Sequence, residues 1–104
     1  MQPFTFFNNT PVPVTPYIAG NSQTINPMDT KTILGLSNSH WGLILPPPAG
    51  IVELGFSGYP TGSCNYTIAQ RYNQFVVSLS SNSDPNCPAG NGMAAPELRA
   101  TCGK

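Results

Sequence analysis

The stretch Cys64-Asn65-Tyr66-Thr67-Ile68-Ala69-Gln70-Arg71-Tyr72-Asn73-Gln74-Phe75-Val76-Val77-Ser78-Leu79-Ser80-Ser81 reads as two β-strands, Tyr66 to Arg71 and Phe75 to Ser80, joined by a polar bend. Apolar and polar side chains alternate, as a half-buried strand requires. The stretch holds no Asp and no Glu, so it supplies no carboxylate for acid–base chemistry.

Working outward, the same period of two recurs along the chain between turn residues. Phe4 and Phe6 flank Thr5, and Val12, Val14 and Ile18 follow the Asn8-Asn9 bend. Pro11, Pro13 and Pro16 remove backbone donors, which predicts a sheet edge for that segment. Gln23-Thr24-Ile25, Thr30 to Leu36, Trp41 to Leu45 and Ile51 to Phe56 bring the count to seven or eight strands. One helical turn is the most that Ala94 to Arg99 can form, since Pro96 interrupts it. The pattern predicts an all-β chain, a single-domain antiparallel β-sandwich or a related closed β structure over residues 1–104.

Composition narrows the function classes. The chain has 104 residues, 39% hydrophobic, enough for one core. Charged residues make up 8%, against roughly 25% in ordinary soluble domains, so Ser, Thr, Asn and Gln carry solubility. Net charge is zero with no basic stripe, which argues against nucleic acid as a partner. No apolar run reaches the ~18 residues of a membrane span. Few charges, three Cys and the sequons Asn8-Asn9-Thr10 and Asn65-Tyr66-Thr67 point to secretion. No signal peptide precedes Gln2-Pro3; a removed leader is the expected explanation, with export by another route the alternative.

Three Cys allow three single bridges, each leaving one thiol. Cys87–Cys102 is favoured because it would close the Pro- and Gly-rich segment 88–101; Cys64–Cys87 is the alternative, stapling the end of the hairpin. The leftover thiol offers a route to a homodimer. No CxxC pair exists and His40 is alone, so neither a metal nor another cofactor is expected.

The run Phe4-Thr5-Phe6-Phe7-Asn8-Asn9-Thr10-Pro11-Val12-Pro13-Val14, followed by Gly20-Asn21-Ser22-Gln23-Thr24-Ile25-Asn26-Pro27, resembles the opening of thaumatin-like proteins. His40-Trp41-Gly42, Val52-Glu53-Leu54-Gly55-Phe56, Tyr66-Thr67-Ile68-Ala69, Cys87-Pro88 and Pro96-Glu97-Leu98-Arg99 resemble later family segments in the same order. The resemblance is to short, Cys-poor, fungal-type secreted members. It implies a family cleft built from an Arg, a Glu and three Asp thought to engage β-1,3-glucan. Glu53 matches the Glu. Leu43 stands where the Arg is expected, Thr67 replaces the first Asp, Tyr72 or Asn73 falls at the second, and the third has no counterpart.

Glycoside hydrolysis ordinarily uses two carboxylates, and the chain offers only Asp29, Glu53, Asp84 and Glu97. Asp29 and Asp84 lie in turn contexts suited to backbone capping. The expected ligand contacts are Glu53, Tyr59, Arg71 and Tyr72, with Tyr59 in the loop Ser57 to Ser63 and Pro46 to Pro48 forming a stiff second loop. Trp41 and Tyr66 are further aromatic candidates for stacking, with core packing the competing account and the favoured one for Trp41. The expected function is non-enzymatic binding or defence, directed at a carbohydrate or a protein receptor. A sweet protein acting on a taste receptor and a residual glucan hydrolase using Glu53 are the alternatives.

Overall fold

The computed structural model describes residues 2–18, 20–35, 41–46, 50–54, 62–71 and 74–88, with residues 52–54 and 74 described by their backbone alone. Among the described residues eight strands form: β1 (Gln2–Asn9), β2 (Thr15–Ile18), β3 (Asn21–Ser22), β4 (Thr30–Gly35), β5 (Trp41–Ile44), β6 (Ile51–Leu54), β7 (Cys64–Arg71) and β8 (Gln74–Leu79). The described residues are all-β, with no helix among them; the helical turn expected at 94–99 lies outside them. The predicted hairpin is β7–β8, antiparallel from Tyr66↔Leu79 to Arg71↔Gln74.

Two four-stranded sheets result, ordered β4-β1-β7-β8 and β3-β2-β5-β6. The first is mixed, which corrects the expectation of purely antiparallel pairing. β1 and β7 run parallel, with Phe4 opposite Cys64 and Phe6 opposite Tyr66. Parallel neighbours need a long crossover, and the chain between them supplies one by building the second sheet on the way.

β2 is also an interior strand, flanked by β3 and β5, where Pro11, Pro13 and Pro16 predicted an edge. The Pro16 carbonyl accepts from Gln23 N at 3.3 Å. A strand residue's N and O point to the same flank, so the missing donor faces β3, whose ladder is only two residues long. Little pairing is lost there, and the Pro16 ring is fully buried.

Alternation directs Phe4, Phe6, Tyr66, Ile68 and Val77 from the first sheet and Ile18, Trp41 and Leu43 from the second into one core. Phe6 and Tyr66, register partners, stack with centroids 5.2 Å apart, and Trp41 reaches across from the other sheet to 5.1 Å from Tyr66. Tyr66 is thus a core residue, and its hydroxyl donates to the Pro88 carbonyl at 2.7 Å. Trp41 is fully buried as well. Neither ring is available for stacking a ligand.

Asn8 fixes the turns at one end of β1. Its side-chain amide donates to the Val12 and Ile25 carbonyls, each at 2.8 Å, and its oxygen accepts from Thr10 N at 3.1 Å. Its backbone bonds to Met28 and Asp29. These hold the Asn26–Asp29 turn, in which Met28 adopts a φ of 65° and Asp29 N donates to Asn26 O, the pattern of a type II turn.

The bridge forms between Cys64 and Cys87, with Cα atoms 5.6 Å apart. Cys87 is therefore not joined to Cys102, which lies outside the described residues. The deciding factor is spatial: residues 80–88 fold back along the start of β7. Ser80 N donates to Asn65 O at 2.8 Å, Asp84 N to Ser63 O at 3.0 Å, and Asn65 N to Ser83 Oγ at 2.7 Å.

Candidate functional site

The two sheets meet along the side where β3 and β4 are the outermost strands. Gly35 of β4 lies so close to Ile18 of β2 that a Cβ there would overlap the Ile18 side chain. Only glycine permits this approach. Beside it, the Asn21 side-chain amide donates to the Leu34 carbonyl at 2.6 Å, joining an edge strand of one sheet to an edge strand of the other.

A groove of about 600 Å³ runs along this junction, with residues 20–23 on one wall and 32–34 on the other. That volume falls in the range of small-ligand sites, roughly 300–1,000 Å³. Asn21, Ser22, Gln23 and Thr32 bring amides and hydroxyls, groups that donate and accept; the Asn21 amide already donates to Leu34, and the Thr32 hydroxyl is paired with Thr5 Oγ1 at 2.9 Å. Leu34, 54% exposed, adds apolar surface. None of the described lining residues is charged; Lys31 lies one position before the β4 wall and is exposed, as an edge-strand lysine commonly is.

A second, smaller hollow of about 240 Å³ involves Pro13, Thr15, Thr24, Ile44, Leu45 and Pro46. Thr15 and Thr24 hydroxyls are 2.9 Å apart beside it. Ile44 and Ile51 are register partners on β5 and β6, 39% and 60% exposed, so an apolar pair faces solvent near it.

Of the four contact residues expected from sequence, the two that are described, Glu53 and Arg71, lie on different sheets. Glu53 sits on β6 opposite Gly42, at the edge of the second sheet farthest from β3. Arg71 is exposed at the end of β7, opposite Gln74 in the first sheet. Tyr59 and Tyr72 lie outside the described residues, as do His40, Pro47, Pro48 and Glu97. Asp29 and Asp84 cap turns: Asp29 Oδ1 accepts from Thr30 N at 2.9 Å, and Asp84 accepts from Asn86 N at 2.8 Å and Gly62 N at 2.9 Å. Among the described residues no cluster of His, Cys, Asp or Glu is placed to hold a metal ion.

The groove residues Asn21, Ser22, Gln23, Thr32 and Leu34 were not singled out from sequence. Their one local signal is the run Asn21 to Thr24, polar without alternation. Compared with protein-family models, curated proteins and solved structures, the chain matches none.

Proposed function

We propose that this chain is a secreted, non-enzymatic binding protein of thaumatin-like type that takes a neutral carbohydrate in the groove between β3 and β4. The observation that carries this reading is the lining, four amide or hydroxyl side chains beside an exposed Leu34 with no charged group among the described lining residues. Sugar hydroxyls are matched by groups that both donate and accept, and the C–H face of a pyranose ring is matched by apolar surface. β-1,3-glucan is the first ligand to test, because the sequence resembles a family associated with it. The Cys64–Cys87 bridge fits an oxidising, extracellular setting.

The distribution of carboxylates supports binding without hydrolysis. Asp29 and Asp84 are committed to turns, and Glu53 lies three strand spacings from β3, about 14 Å. Among the described residues, no pair of carboxylates flanks the groove as in a glycosidase. The test measures binding of β-1,3-glucan oligosaccharides by calorimetry and release of reducing ends by the same samples. Wild type should bind and release none, Gln23→Ala and Thr32→Ala should weaken binding about 5- to 20-fold, as loss of one hydrogen bond would, and Glu53→Gln should bind as wild type does. Hydrolysis abolished by Glu53→Gln would overturn the reading.

The exposed Ile44–Ile51 pair favours a second reading, contact with a protein receptor through β5 and β6. It predicts that Ile51→Ser abolishes receptor capture while leaving glucan binding unchanged.

A further inference from the structure

The chain carries two Asn-x-Thr sequons, and the fold treats them in opposite ways. Asn8 is fully buried. Both hydrogens of its Nδ2 are committed, one to the Val12 carbonyl and one to the Ile25 carbonyl, each at 2.8 Å. A sugar on that nitrogen would remove one of these bonds and force a saccharide into the core. The Thr10 hydroxyl of the same sequon is buried 2.6 Å from Asn8 Oδ1.

Asn65 presents the reverse arrangement. It lies on β7 between the inward-facing Cys64 and Tyr66, so its side chain projects from the outer face of the first sheet. Its backbone is secured by Ser80 and Ser83, while its Nδ2 makes only a 3.5 Å contact with Asn82 Oδ1 at the surface. An N-linked amide keeps one hydrogen, enough for that contact. The flanking outer-face positions are small: Thr5 is its register partner and Thr67, the sequon hydroxyl, is two residues along the same strand.

We infer that Asn65 is an N-glycosylation site and that Asn8 is not, in a chain exported through a route carrying an oligosaccharyltransferase. The donor class is a lipid pyrophosphate-linked oligosaccharide. The bond from sugar C1 to the phosphate oxygen breaks, a C1–Nδ2 bond forms, the amide releases one proton, and the lipid pyrophosphate leaves with the bonding pair. This inference does not rest on the groove's ligand, and its test does not measure carbohydrate binding.

The full chain is secreted behind a leader from a eukaryotic host, and the folded product is analysed by mass spectrometry before and after amidase treatment in heavy-oxygen water. The expected result is a single glycan step, removed by Asn65→Gln and by Thr67→Ala, with the Asn→Asp label at position 65. A secreted product without a glycan, or a label at position 8 in folded protein, would overturn the inference.

Discussion

The side-chain amide of Asn8 donates to the main-chain carbonyl of Ile25 across 17 residues of sequence, at 2.8 Å and fully buried. With the bond to Val12, it ties the end of β1 to two separate loops. Buried polar groups that are fully partnered specify a single arrangement, and they are costly to disturb.

Asn8→Asp should therefore destabilise the protein by about 3 kcal/mol or more at pH 7, because it sets a carboxylate oxygen against two carbonyl oxygens. Burial would raise the folded-state pKa of that carboxyl above its unfolded value. The penalty should then be smallest below about pH 4 and grow as pH rises through that value. Urea unfolding of the variant and wild type at pH 3 and pH 7 checks both the size and the sign.

Removing the Cys64–Cys87 bridge should cost about 3.5 kcal/mol, the chain-entropy value for a loop of this length. Cys64→Ser and Cys87→Ser should show the loss equally in chemical denaturation. Cys102→Ser should leave the bridge intact, and thiol titration of the unfolded wild-type monomer should count one free thiol per chain. A covalent homodimer, where formed, should then disappear with Cys102→Ser.

Tyr66 predicts an alkaline limit. Desolvation by burial raises its pKa far above the usual tyrosine value. Its contribution to stability is fully present below the unfolded pKa of about 10 and is lost as pH rises beyond it, because the unfolded chain ionises first. Absorbance titration at 295 nm should show Tyr66 ionising only together with unfolding. Tyr66→Phe should lose about 1 kcal/mol near pH 7, from the bond to Pro88, and should flatten the alkaline loss.

Much of the local structure was legible because alternation is local. Tyr66 and Ile68, and Phe75 and Val77, recur at every second position, and the β7–β8 hairpin lies where that period puts it. Strand order was not legible, since nothing in Phe4 or Cys64 announces that they are parallel register partners. Pro16 misled for a related reason: a missing donor excludes pairing on one flank only, and which flank it faces is a tertiary fact. Cys102 looked the better partner for Cys87 by loop composition, yet the return of residues 80–88 along β7 brings Cys64 within reach. Asn8 looked like a surface turn residue, and its burial depends on loops at Val12 and Ile25 closing over it. The groove is the least legible feature. Its walls come from two separate stretches, around Asn21 and around Leu34, each unremarkable by itself, and they form a site only once the two sheets meet at Gly35 and Ile18.

The most direct test of the binding site is a map of backbone amide chemical-shift changes as β-1,3-glucan oligosaccharide is titrated into the labelled protein. Carbohydrate binding between β3 and β4 predicts saturable shifts centred on Asn21, Ser22, Gln23, Thr32 and Leu34, with Arg71 and Glu53 unmoved. Shifts centred on Glu53 or on the Ile44–Ile51 pair, or none at millimolar ligand, would contradict it.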